Sequence, residues 1–356
     1  MALTETIFLT GFPGFIAGRL VERLAATDRQ IFLLVQSHFV ERSVKSVEDI
    51  SKRTNVPLEN FALIEGDITT LGLGMPEEDA ELVRETTTDV FHLAAIYDLA
   101  VSKDAAQSVN LNGTKNVNAF TAAMPKLRRY SYISTCYVAG KREGLVREDE
   151  LEHNAGFRNS YEESKYLAEL EVERLKSELP VTIFRPSVVV GDSRTGETAK
   201  YDGIYSLIQY IRKAPRLLRI MNVGNAAVRL NLVPVDFVVD AIAALAFDPE
   251  AEGQTIALAD PAPLSTRELF DVIAEKLSGS RSIMTPPPAL VERFLLLPIS
   301  PPLTGLPHHG VPYFFLSQTY DTSLAGRLLA KHGISCPDFR DYAGNLLDFV
   351  IEHPEI

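Results

Sequence analysis

The sequence predicts an α/β fold, a doubly wound parallel sheet with a smaller, mostly helical cap. Three observations carry that expectation. Short β-branched runs alternate with longer amphipathic stretches through the first half of the chain, as in a parallel sheet covered on both faces. A glycine turn, Gly11 to Gly14, lies between the first strand and the first helix. After Pro186 the alternation gives way to loops and proline-separated helices.

In chain order, strands are expected at 6–10, 30–36, 61–66, 89–94, 130–135 and 181–185. Helical patterns fall near 14–27, 40–53, 78–86, 102–123 and 160–178. The right-handed crossover rule winds such a run into one doubly wound sheet. Residues 191–228 read as loop, helix (203–213) and loop, before a strand and helix at 229–247 and a strand at 254–258. Eight of the 21 prolines lie between Pro286 and Pro312, which breaks that stretch into short pieces. Residues 1–190 with 229–258 are therefore assigned to the sheet domain, and 191–228 with 259–356 to the cap.

The chain has 356 residues, 46% of them hydrophobic and 23% charged, enough to bury a full core unaided. Against 47 acidic residues stand 35 basic ones, a net charge of −12, and no Lys/Arg run forms a patch. That excludes a nucleic-acid surface. Cys136 and Cys336 lie far apart, so neither a disulfide framework nor a zinc site is expected. The opening residues lack the basic and apolar regions of a signal peptide. The most apolar window, 232–247, is interrupted by Asp236 and Asp240, which argues against a membrane span. A cytoplasmic setting is expected.

The segment Gly11-Phe12-Pro13-Gly14-Phe15-Ile16-Ala17 has GxxGxxA spacing and opens a helix directly after the first strand. Gly11 permits the tight turn, Gly14 lets backbone approach a pyrophosphate, and Ala17 is small enough for the helix to pack on the strand. Phosphates then sit at the helix N-terminus, where free N–H groups favour anions. This makes the sheet domain a dinucleotide-binding domain. The second strand ends at Gln36, where NAD-preferring folds usually place a carboxylate for the ribose. With no charge to repel a 2′-phosphate, and with Arg42 close in sequence, NADP is preferred and NAD stays open. Asp67, before Ile68, either reaches the adenine edge or forms a turn. Leu93, Ala94 and Ala95 end the fourth strand, where small residues let a cofactor lie against backbone. His92 reads as a packed strand residue.

Tyr161 and Lys165 are four residues apart on a helix and so share one face. An ammonium there lowers the tyrosine pKa from its usual value of about 10. Such a tyrosine can exchange the proton that accompanies hydride transfer. The spacing alone also fits an ordinary surface pair. The preceding strand decides between them, because it ends in Ser134-Thr135-Cys136 at the sheet edge where ligands bind. Thr135 can then hydrogen-bond a carbonyl oxygen as it gains charge. Ser134 should face the other side of the strand.

Several segments together resemble the extended branch of the short-chain dehydrogenase/reductase superfamily. They are TGFPGFIA (10–17), GDI (66–68), HLAA (92–95), NLNGT (110–114), STCYVAG (134–140), YEESK (161–165) and FRPSVVVG (184–191). Within it the chain is most similar to the thioester-reductase-like group, which includes fatty acyl-CoA reductases and the terminal domains of carboxylic acid reductases. The resemblance implies a Rossmann sheet and an active-site triad of Thr135, Tyr161 and Lys165. It places Arg185, Pro186, Ser187 and Val188 beside the nicotinamide end and Asn110 in support of the site. NADPH-using relatives often carry Arg where this chain has Gln36. Some relatives form homodimers through helices at 102–123 and 160–178, and others are monomers.

Tyr97, Cys136 and Tyr201 are candidate substrate contacts. A catalytic role for Cys136 lacks a histidine at suitable spacing, and a buried strand-end thiol is the commoner case. His308 and His309 have no third ligand nearby in sequence, so no metal is expected. Apolar residues at 289–298 and 311–316 either form core or line a cleft for an acyl chain or flat ring system. The expected function is NAD(P)H-dependent reduction of a hydrophobic carbonyl or acyl thioester. The alternatives are a ketone- or sugar-type dehydrogenase or epimerase, and a non-catalytic dinucleotide sensor. A sensor has no need of the proton relay.

Overall fold

The computed structural model describes residues 5–213, 222–279, 281–282, 284–297, 300 and 311–355. Its strands are β1 (Glu5–Thr10), β2 (Arg29–Val35), β3 (Phe61–Glu65), β4 (Asp89–His92), β5 (Arg129–Ile133), β6 (Gly144–Val146), β7 (Val181–Pro186), β8 (Val188–Val190), β9 (Leu232–Pro234), β10 (Thr255–Leu258) and β11 (Gln318–Tyr320). Seven of them form the expected doubly wound sheet, in the order β10-β7-β5-β4-β1-β2-β3 with every pair parallel. The order reverses direction at β1, whose neighbours are β2 and β4. In open sheets of this kind the crevice beyond the strand ends at that switch point receives the ligand.

Central strands read as continuous apolar runs because both faces are covered. Ile7, Leu9, Ile31 and Leu33 join one core with the helices Phe15–Leu24 and Val235–Leu245. Phe8, Phe32, Tyr130 and Tyr132 join the other with Ala168 and Val172 of the helix Ser160–Glu173. A third cluster belongs to the cap, where Tyr205, Ile208 and Ile211 of the helix Ile204–Lys213 meet Phe270, Ile273, Tyr342 and Leu346.

The structure adds three features to the expected plan. Strand β9 pairs with β8 in a separate two-stranded sheet, and β6 pairs with β11 in another. The helical run at 103–122 contains a π-helical stretch, Gln107–Gly113, which includes Asn110; such irregularities are frequent at functional sites. The helix Ser323–Lys331, assigned to the cap from sequence, packs Ala325, Leu328 and Leu329 into the first core. Its N-terminus is tied by Glu148, whose buried carboxylate accepts the N–H groups of Leu324 (2.7 Å) and Ala325 (3.1 Å), as well as that of Ala257 in β10 (2.9 Å). The chain thus returns from the cap to the sheet before its last helix, Phe339–Glu352, goes back to the cap core.

Among the described residues no helix is long and apolar enough to cross a membrane, and no cluster of metal-binding side chains is found. His308 and His309 lie outside the described residues.

Candidate active site

A cavity of about 380 Å³ runs along the sheet edge at the switch point. Gly11, Gly14, Phe15, Ile16 and Ala17 line it, as do Thr135, Tyr161 and Lys165. Leu93, Ala95, Pro186, Ser187 and Val188 also line it. Gly11 has φ +98°, and a Cβ there would stand 2.8 Å from the backbone nitrogen of Ala94. Only glycine fits that close approach of the turn to β4. Gly14 is the N-cap of the Phe15–Leu24 helix, and no side chain caps it. The first-turn N–H groups are therefore open to an anion.

Thr135 ends the β5 segment, and its Oγ1 accepts the N–H of Tyr137 (3.2 Å). Its hydroxyl also acts on the Tyr161 phenol, favouring the ionised form. Lys165 is buried and donates to the hydroxyl of Tyr132 (3.0 Å) and the carbonyl of Ile133 (2.9 Å). Asn110 accepts the N–H of Ile96 (2.8 Å) and donates to Ser164 (3.0 Å), which in turn donates to the Tyr161 carbonyl (3.0 Å). The support expected of Asn110 is thus exerted through the backbone of the Tyr161 turn. His92 is packed, its ring nitrogens paired with Thr10 (2.7 Å) and Thr114 (3.0 Å). Burial lowers its pKa to about 3, so it stays neutral.

Three expectations need correction. The Tyr161 pKa is not lowered: burial pushes it up and outweighs the opposing effect of the Thr135 hydroxyl. Lys165 directs its ammonium to Tyr132 and Ile133 instead, and burial brings its own pKa down to about 8. Arg185 does not face the nicotinamide end. It turns into the protein, donating twice to Glu169 (2.6 and 2.8 Å) and to the carbonyls of Glu148 and Glu150. Cys136, offered as a substrate contact, lies outside the cavity lining: it is buried, donates to the Arg185 carbonyl, and burial pushes its pKa up. Ser134 faces Glu169, as the strand alternation requires.

Phe12 is buried in the first core and Ile68 in the second. Together with Pro13, Gln36, Arg42, Asp67 and Ala94 they lie outside the main cavity's lining. Asp67 forms a turn, accepting the N–H of Thr69 (2.8 Å), and also accepts a hydrogen bond from Gln36 (2.8 Å). Arg42 is exposed on the helix Val40–Thr54 and has no ion pair among the described residues.

A second cavity of about 250 Å³ adjoins the first, sharing Tyr97, Tyr137, Val188, Lys200 and Asp202. Tyr201, Leu230, Tyr313 and Phe314 complete much of its wall. Tyr97 stands edge-on to Tyr161 with ring centroids 5.3 Å apart. Tyr313 and Phe314 belong to the 311–316 stretch offered as core or cleft lining, whereas Tyr137 was missed in the sequence. Tyr137 lies within a recognised motif, but only the folded chain shows which of its side chains faces the cleft.

The male sterility protein model, an NAD-binding family, matches residues 9–242. The chain belongs to that family. It lies in the thioester-reductase-like branch of the extended short-chain dehydrogenase/reductases. It is 26% identical over 279 residues to the fatty acyl-CoA reductase wat of Drosophila melanogaster, covering 68% of this chain and 54% of that one. It thus spans about half the length of that relative. In fold it is similar to the terminal R domain of the myxalamid PKS-NRPS pathway, with TM-score 0.80, 24% identity and coverage of 100% and 92%. It is also similar to the UDP-glucuronic acid 4-epimerase of Bacillus cereus solved with NAD, with TM-score 0.66, 20% identity and coverage of 98% and 97%. A nicotinamide dinucleotide is the cofactor class of this family.

Proposed function

We propose that the chain reduces hydrophobic acyl thioesters, or carbonyl compounds related to them, using NADPH in preference to NADH. The observation that carries this reading is one cavity lined both by an uncapped helix N-terminus with its glycine turn and by Thr135, Tyr161 and Lys165. These features fit a dinucleotide stretched along the sheet edge, which supplies the hydride.

The protein's own groups handle the oxygen. Thr135 and Tyr161 line the same cavity, so both hydroxyls can converge on a carbonyl oxygen. As the carbonyl carbon gains hydride, Tyr161 gives its proton to that oxygen. Burial keeps the phenol protonated, which suits the reductive direction. Lys165, with its pKa near 8, supplies positive charge at neutral pH that favours the phenolate left behind. From a thioester the product is a hemithioacetal, and breaking its C–S bond releases thiol and aldehyde.

Two features support the finer parts of the reading. The second cavity, walled by Tyr97, Tyr137, Tyr313, Leu230 and Phe314, suits an apolar acyl group. Gln36 in place of a carboxylate, with exposed Arg42 on the following helix, favours a 2′-phosphate. The test is oxidation of NADPH and NADH by purified protein with acyl-CoA thioesters of graded length, run beside Tyr161→Phe. Turnover that survives in Tyr161→Phe at near wild-type rate would refute the mechanism.

A further inference from the structure

The segment that walls the second cavity also reaches the catalytic helix. Tyr313 lies in the short helical turn Val311–Phe314, with its ring 4.7 Å from that of Tyr137 and 5.3 Å from the Arg158 guanidinium. Its hydroxyl donates to Glu162 Oε1 (2.6 Å) and accepts from Asn159 Nδ2 (2.8 Å). Asn159 is the N-cap of the Ser160–Glu173 helix, and its Oδ1 accepts the N–H of Glu162 (3.0 Å). Glu162 is fully buried beside Tyr161 in sequence. Its carboxylate also takes the side chain and the backbone N–H of Arg158, each at 2.9 Å. Arg158 in turn donates to the Gly140 carbonyl (2.6 Å). A single hydroxyl from the C-terminal part of the chain thus completes the cluster that frames the first turn carrying Tyr161.

Packing alone does not require this arrangement. A phenylalanine at 313 would fill the same space, whereas a buried carboxylate and amide are costly to desolvate unless each is paired. The hydrogen bonds fix geometry at the one turn whose placement sets the proton donor.

We propose that Tyr313 is a positioning residue for the reaction. Its hydroxyl fixes the first turn of the catalytic helix, and with it the Tyr161 phenol against Thr135. Its ring meanwhile forms a wall of the acyl pocket. Filling that pocket and aligning the proton donor therefore act through the same side chain. The proposal takes its substrate from the thioester reading above, but its geometry is independent of it.

Tyr313→Phe keeps the ring and removes the hydroxyl. With octanoyl-CoA and NADPH, kcat should fall about 10- to 100-fold while KM for the thioester and Kd for NADPH stay within about twofold. Tyr313→Leu removes the ring as well and should also raise KM. Hydrogen exchange without substrate gives a second readout: the amides of Glu162 and Glu163 should lose protection in Tyr313→Phe, while those of β1 and β5 keep theirs. Wild-type kcat with unchanged protection at Glu162 would overturn the proposal. Loss of protection spread evenly over the sheet would overturn it too, since that marks a general stability role. If the wild-type protein oxidises NADPH with no thioester, the functional reading fails and the exchange pattern alone decides Tyr313.

Discussion

Burial holds the Lys165 pKa near 8 and raises that of Tyr161, so at neutral pH the pair is an ammonium near a protonated phenol. Lys165 is charged below about 8 and neutral above it. The reductive kcat/KM, which reports the free enzyme, should therefore be level below that pH and fall as pH rises through it. A profile that climbs through pH 8 would mean that neutral Lys165 is the active form. Arg42 supplies a second residue-scale test. Arg42→Ala should raise KM for NADPH by about tenfold, as expected for one charge-assisted phosphate contact of about 1.4 kcal/mol, and leave KM for NADH unchanged. Equal effects on both cofactors would remove Arg42 from the 2′-phosphate site. The residue types of this site were legible in the sequence, because Tyr161 and Lys165 share a helical face whatever the fold does. Their electrostatics were not, because only the packed structure reveals that Lys165 directs its ammonium to Tyr132 and Ile133 and that Tyr161 is buried.

At the scale of elements, β7 is held to the catalytic helix by the Arg185–Glu169 pair, both side chains buried, with Ser134 of the β5 segment bonded to the same carboxylate. Glu169→Ala would leave the guanidinium buried without its counter-charge, a loss of about 3–5 kcal/mol measurable as a lower denaturant midpoint. A loss below about 1 kcal/mol would place Arg185 among exposed pairs in energetic terms. The family resemblance set Arg185 beside the nicotinamide end with Pro186, Ser187 and Val188, and those three do line the cavity. Arg185 turns instead to the buried carboxylate of Glu169, which needs a counter-charge. The main sheet was legible from local pattern: short apolar runs such as those in β1 and β2 alternate with amphipathic helices. Strands β6, β8 and β11 have three residues each, too short to show any period. They exist because distant segments meet.

Across the whole molecule, the C-terminal third does two jobs, and only the first was offered by its sequence. Part of it closes the second cavity through Tyr313 and Phe314. The helix Ser323–Lys331 then returns to the first core, tied by Glu148. Proline clustering and loose periodicity marked this region as a cap, but contacts between residues more than 150 apart, such as Glu162 with Tyr313, leave no local pattern. The two adjoining cavities consequently draw their lining from residues as far apart as Gly11 and Phe314. The most direct measurement is NADPH consumption with octanoyl-CoA by the wild-type protein and by Tyr161→Phe, with NADPH affinity measured on both. Steady oxidation by the wild type, lost by at least about 100-fold in the variant at unchanged NADPH affinity, is the predicted result. Comparable rates in the two proteins, or binding of NADPH with no oxidation across the thioester series, would contradict the account.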